Sequence, residues 1–261
     1  MDLYYREFRE LGADGPPLLF LHGMLGSSSN WVGIVRPLRH RHLILLPDLR
    51  NHGRSPHHPV MDYPALADDV LRLADGLGLG RFVLIGHSMG GKVAMWLALQ
   101  EPERVIGLVS LDMAPVTYPP RFRALFEAMS ELPLEELPNR EAADQFLARR
   151  LESPELRAFL LQNLEQREGR WRWRVNLQAI IGQREALRGF PEPGRHRQFP
   201  GPALFLYGDR SDYLQAEHWP AIRDLFPFAR LRPVVGAGHW VYADRPQEVL
   251  AGLQGFLREL G

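Results

Sequence analysis

Val83-Leu84-Ile85-Gly86-His87-Ser88-Met89-Gly90-Gly91 is the stretch whose reading decides the fold. An apolar run with the length and β-branched content of a buried strand stops at Gly86, and a helical pattern from Lys92 to Gln100 begins almost at once. Between them stands Gly-x-Ser-x-Gly, with Ser88 at its centre. A strand that turns into a helix this sharply holds the serine strained, with its hydroxyl above the sheet edge. Gly86 and Gly90 flank it because a Cβ at either place would collide with the neighbouring strand or helix. The amide of Met89, at the helix N-terminus, is left to donate to an anion. The pentapeptide pattern alone is common; its position between a clear strand and a clear helix makes Ser88 a candidate nucleophile.

Outward from this turn the chain alternates strands and helices. Leu3–Phe8 and Leu18–Leu21 read as strands, and a Gly/Ser-rich loop, His22 to Ser28, leads to a helix bearing Trp31, Ile34, Val35 and Leu38 on one face. His42–Leu46 is the next strand and ends in the polar loop Pro47 to Ser55. Asp62 caps a helix over Pro64–Leu77. After the serine turn, Val105–Leu111 is a strand closed by Asp112. This rhythm predicts an α/β class, a mostly parallel central sheet flanked by helices. It breaks at Pro115. From there to Pro200 amphipathic helices are expected near Arg121–Glu131, Arg140–Leu151, Pro154–Gln166 and Val175–Leu187, with Trp171-Arg-Trp-Arg174 alternating as a short strand would. The rhythm returns with strand Ala203–Tyr207, helix Glu217–Phe226, strand Ala229–Val235 and helix Pro246–Leu260. The domain reading is therefore a core of residues 1–114 and 201–261, with 115–200 inserted as a helical cap.

Bulk composition narrows the function classes. With 261 residues, 45% apolar and 24% charged, the chain can bury a full core as an ordinary globular protein. Zero net charge gives no steering toward nucleic acid or an anionic membrane. Lys92 is the sole lysine among 31 basic side chains. The absence of cysteine excludes disulfides, thiolate catalysis and zinc–cysteine sites. Met1–Glu10 lacks a signal-peptide core, so a cytoplasmic location is expected.

A serine nucleophile needs a base to take its proton and an acid to hold the base. Of the ten histidines, His239 in Gly236-Ala-Gly-His-Trp240 is the candidate. Its loop follows the last strand and so lies on the same sheet edge as Ser88. His40, His42, His57, His58, His196 and His218 read as surface residues, His22 as a support for the Met24 loop, and His52 and His87 as local hydrogen-bonding groups. No metal-ligand spacing is present and no cofactor is expected. Asp212 and Asp112 both end strands before His239. Asp212 is the expected acid, since its loop Gly208-Asp-Arg-Ser-Asp212 is glycine-led and polar, and Asp112 is the alternative; Asp209 reads as a turn residue. Backbone amides of Met24 and Met89 are expected to form the oxyanion hole. Trp31, Val116 and Trp240 are expected to wall the substrate pocket with Met24 and Met89. Arg172 and Arg174 share one strand face, either as an anion-binding pair or as solvated arginines. Arg50 and Arg54 are expected to tie loops through Asp48.

Leu21-His-Gly-Met24, Asp48…Asn51-His-Gly-Arg-Ser55, Gly86-His-Ser-Met-Gly-Gly91, Leu111-Asp-Met-Ala-Pro115 and Gly236-Ala-Gly-His239 together resemble an α/β-hydrolase, across the whole core and in the expected order. Trp171-Arg-Trp-Arg-Val-Asn-Leu177, with Lys92 after the double glycine, is similar to a narrower group of small bacterial acyl esterases and a related mitochondrial hydrolase. The resemblance implies a Ser-His-Asp esterase with a helical cap over the pocket. It also implies an open choice of acid, because some members of that group lack a carboxylate at the position of Asp212 and use the one matching Asp112. The expected function is hydrolysis of short or medium acyl esters, or acyl thioesters, by an acyl-enzyme on Ser88. Alternatives are a carbon–carbon bond hydrolase or perhydrolase of the same fold, and a non-catalytic ligand receptor. The expected partner is a small-molecule ester, with neither nucleic acid nor membrane.

Overall fold

A computed structural model describes residues 1–194 and 197–261; His196 lies outside the described residues. The chain opens with β1 (Tyr5–Phe8) and β2 (Gly15–Leu21), then a one-turn helix α1 (Val32–Val35) between two 3-10 turns. There follow β3 (His42–Pro47), α2 (Tyr63–Gly76), β4 (Phe82–His87), α3 (Met89–Gln100) and β5 (Val105–Leu111). Asp62 caps α2 by accepting the amide of Ala65 at 2.9 Å, and Pro64 sits in the first turn, where its missing N–H costs nothing.

Between β5 and the next strand of the main sheet come α4 (Arg123–Ser130), α5 (Arg140–Ala148), α6 (Pro154–Leu161), the hairpin β6 (Leu164–Arg167) and β7 (Arg170–Trp173), α7 (Leu177–Gly182) and α8 (Arg184–Arg188). The chain then returns through β8 (Ala203–Gly208), α9 (Trp219–Leu225), β9 (Ala229–Val234), α10 (Val241–Asp244) and α11 (Pro246–Glu259). Two expected helices are shorter than their sequence pattern. The one beginning at Pro154 stops at Leu161, and Leu164–Arg167 pairs antiparallel with Arg170–Trp173 instead. Glu168 and Gly169, at φ 52° and 79°, make the turn, a conformation for which the glycine is suited. The other, read over Val175–Leu187, is split into α7 and α8.

The main sheet has the order β1-β3-β2-β4-β5-β8-β9, with β1 antiparallel to β3 and every other pairing parallel. β4, at the centre, is buried along its whole length. The period of two divides the sheet's side chains cleanly. Leu19, Leu21, Leu45 and Leu84 join one core with α2, α3 and apolar residues of the inserted segment. Leu18, Phe20, Ile44, Val83 and Ile85 join a second core with the α1 region and α11. Because the six strands β2–β5, β8 and β9 run parallel, their carboxyl ends share one edge, and the loops that follow them gather there. Among the described residues no helix is long and apolar enough to cross a membrane.

Candidate active site

Ser88 sits between β4 and α3 at φ 52°, ψ −120°, a left-handed conformation that costs a side-chain-bearing residue about 1–3 kcal/mol. Both flanking glycines are required by space. A Cβ on Gly86 would lie 2.1 Å from the carbonyl oxygen of Gly90, and one on Gly90 would lie 2.3 Å from that of Leu21. Gly23 also brings the loop after β2 close, since its Cβ would lie 3.2 Å from that of Ser88 and 2.9 Å from His87 Nδ1. Ser88 is half-buried and, with Met24 and Met89, lines a cavity of about 530 Å³.

His239 lies in the loop after β9. Its Nδ1 is 2.7 Å from Asp112 Oδ2, and the ring of Tyr213 stacks on it at 3.7 Å and 19°. Asp112 also stands in the left-handed region, at φ 52°, which turns its side chain inward; it is wholly buried. Its Oδ1 accepts the Gly208 amide at 3.1 Å, and its Oδ2 also accepts the hydroxyl of Ser211. Burial raises the Asp112 carboxyl above the usual range, and the Ser211 and Gly208 donors pull it back. With Nδ1–H donated to Asp112, the lone pair of His239 resides on Nε2.

The structure thus pairs His239 with the alternative aspartate and not with the expected one. Asp212 does not reach His239: its side chain is 67% exposed and its Oδ2 pairs with Arg121 Nη1 at 2.7 Å. The cause is the turn after β8. Ser211 N donates to Gly208 O at 3.1 Å, which brings the Ser211 hydroxyl inward, and the next residue then points to solvent. Asp209 stays a tie between loops, accepting the Gly236 amide at 2.7 Å.

Around this pair a set of neutral histidines fixes the loops. His22 Nε2 accepts the Leu49 amide at 2.9 Å, and its Nδ1–H donates to Gly23 O at 2.8 Å. His52 Nε2 accepts the Leu25 amide at 3.0 Å, and its Nδ1–H donates to Arg50 O at 2.9 Å. Burial lowers the pKa of both, so each keeps the one-donor, one-acceptor tautomer these contacts require. His87 Nε2–H donates to His239 O at 2.9 Å, tying the serine turn to the histidine loop. His42 departs from the surface reading: it is buried, with Nδ1–H donated to Pro16 O at 2.9 Å.

The three expected pocket residues do not line the cavity. Trp31 is wholly buried against Phe20 and Tyr242, in the core on the opposite face of the sheet. Val116 offers its carbonyl to Lys92, and Trp240 packs on Phe159 of α6 at 5.5 Å. The walls come instead from Tyr63, Met113, Tyr118, Phe122, Phe126, Ile181, Leu187 and Tyr213. Sequence periodicity marks Phe122, Phe126, Ile181 and Leu187 as parts of the inserted helices, without showing that they turn toward Ser88. Of the four arginines at the cavity's charged margin, three pair with carboxylates, Arg121 with Asp212, Arg123 with Glu127 and Arg188 with Glu185, while Arg184 Nη1 donates to Ile181 O at 3.1 Å. Arg172 and Arg174 both hold Glu165, so neither stands as an open anion site. Arg54 does reach Asp48, through its backbone amide at 2.9 Å, whereas Arg50 is bound to Asp69 at 2.6 Å.

Burial lowers the pKa of His239 below the ordinary histidine value of about 6.5, so its Nε2 stays unprotonated as the solution turns mildly acidic. The acid limb of a kcat/KM profile on a chromogenic ester is therefore expected to have an apparent pKa below about 6.5. A limb at 7 or above would contradict a partly buried, neutral base.

The alpha/beta hydrolase fold family matches residues 16–246. An sn-1-specific diacylglycerol lipase of Xenopus laevis is 43% identical over 251 residues, 93% of this chain and 80% of that protein. Esterase YbfF of Escherichia coli is 33% identical over 244 residues, 93% of each chain. The solved structure of a marine microorganism esterase, 34% identical, superposes with a TM-score of 0.94 over 98% of this chain and 99% of its own.

Proposed function

The chain belongs to the α/β-hydrolase family, and from that premise we propose that it is a carboxylic ester hydrolase acting through an acyl-enzyme on Ser88. The observation that carries the proposal is the pairing of His239 with the buried Asp112, 2.7 Å across, on the sheet edge where the strained Ser88 opens into an apolar cavity. Ser88 Oγ attacks the ester carbonyl while His239 Nε2 takes its proton. Asp112 holds Nδ1–H and stabilises the imidazolium that forms. The amides of Met24 and Met89 receive the oxyanion. His239 then protonates the departing alcohol, and water, deprotonated by the same nitrogen, releases the acid and restores Ser88.

The segment between β5 and β8 acts as the cap over this site, and residues 1–114 and 201–261 act as the hydrolase core. A cavity of about 530 Å³, walled on the inserted side by Phe122, Phe126 and Ile181, suits a short or medium acyl group on a single soluble molecule. The relatives named above are esterases and a lipase, which fits ester substrates without fixing the acyl chain. A cytoplasmic site of action completes the proposal. Initial rates on p-nitrophenyl esters from acetate to palmitate test it. Turnover should be fastest between acetate and octanoate, with no jump as the substrate passes its micelle threshold. Fastest turnover on palmitate, or clear interfacial activation, would contradict the capped-cavity reading.

A further inference from the structure

Lys92, in the first turn of α3, is 1% exposed and has no carboxylate beside it. Its Nζ donates to three carbonyl oxygens, those of Val116 at 2.7 Å, Arg188 at 2.9 Å and Gly189 at 2.5 Å. Val116 lies where the chain leaves the core after β5, and Arg188–Gly189 where α8 ends on the way back. One ammonium thus holds both ends of the inserted segment. Its own backbone N–H donates to Ser88 O at 3.2 Å, so the same residue is fixed to the serine turn. The rings of Tyr118 and Tyr63 face the cation at 4.8 and 5.6 Å.

Every other basic side chain in this sequence is arginine. The lone lysine stands where three acceptors converge on one point, which a tetrahedral ammonium with three donors satisfies and a planar guanidinium does not. We propose that Lys92 is a positioning residue: its ammonium clasps the two ends of the insertion at a set height above Ser88 and so fixes the cavity wall against which the acyl group packs. Burial pulls the lysine's pKa down to about 7.

The test uses Lys92→Met, which keeps length without donors, and Lys92→Arg, which keeps charge without the tetrahedral head. Hydrogen exchange is expected to accelerate about tenfold or more in both variants at residues 116–118 and 187–190 together. The Tyr118 amide, bonded to Arg188 O at 2.9 Å, is the direct probe. KM for p-nitrophenyl octanoate should rise about tenfold while that for the acetate rises less than about threefold, because an acetyl group barely meets the inserted wall. Unchanged exchange, acceleration at one end alone, or a Lys92→Arg protein that matches the wild type would overturn the proposal. Should either variant fail to fold, the wild type decides: with a single lysine, ¹⁵N-lysine labelling gives one Nζ signal. At about pH 6, where the amine is protonated, it should persist as a slowly exchanging cross-peak. Its loss to rapid exchange with water would overturn the clasp. The kinetic arm rests on the ester-hydrolase reading; the exchange and NMR arms do not, so the two can fail separately.

Discussion

Ser88→Ala is expected to lower turnover of a p-nitrophenyl ester by on the order of a million-fold, with no loss of melting temperature. The magnitude follows from the serine hydrolase template, in which removing the nucleophile alone costs roughly as much as removing the whole triad. Stability should hold because alanine is smaller than serine and the turn is built by its neighbours. Gly86 and Gly90 give the close approach, and the Ser88 backbone is tied to Leu111 O and Lys92 N at 3.2 Å each. The left-handed strain at φ 52° is common to both side chains. Residual activity above about a hundredth of wild type would place the chemistry elsewhere.

The second large effect separates the two aspartates. Asp112→Asn should lower kcat by roughly 10⁴, the cost of the same amide replacement in a serine protease, since an amide neither fixes the histidine tautomer nor stabilises the imidazolium. Its fold should survive, because an amide of the same shape fills the buried site without a charge. Asp212→Asn removes an exposed ion pair with Arg121, worth at most about 1 kcal/mol, and should change kcat by less than about threefold. Comparable large losses in both would mean that the carboxylates share the role, and the reverse pattern would return it to Asp212.

The contrast between these aspartates shows what the chain discloses before folding. That Ser88, Asp112, Asp212 and His239 all gather on one sheet edge follows from strand order alone, because parallel strands present the same ends. Which carboxylate lies beneath the histidine depends on a left-handed turn at Asp112 and on Ser211 turning inward at the end of β8. Neither leaves a periodic trace. Trp31 shows a related loss. Its helical face was legible as apolar, but the side of the sheet it covers depends on how the chain crosses after β2, and it packs with Phe20 away from the site. The hairpin after α6 had a signal that helical periodicity masked, the Glu168-Gly169 pair at its turn. Lys92 was visible as an oddity of composition; its three carbonyl partners, up to 97 residues away in the chain, were not.

The most direct measurement of the central claim is mass-mapped labelling with a fluorophosphonate, which reports a nucleophilic serine without presuming a substrate. Peptide mass spectrometry should find a single phosphonate adduct, on Ser88, that is absent from Ser88→Ala and slowed severely in Asp112→Asn. An unlabelled Ser88, or an adduct on any other residue that persists in Ser88→Ala, would contradict the account.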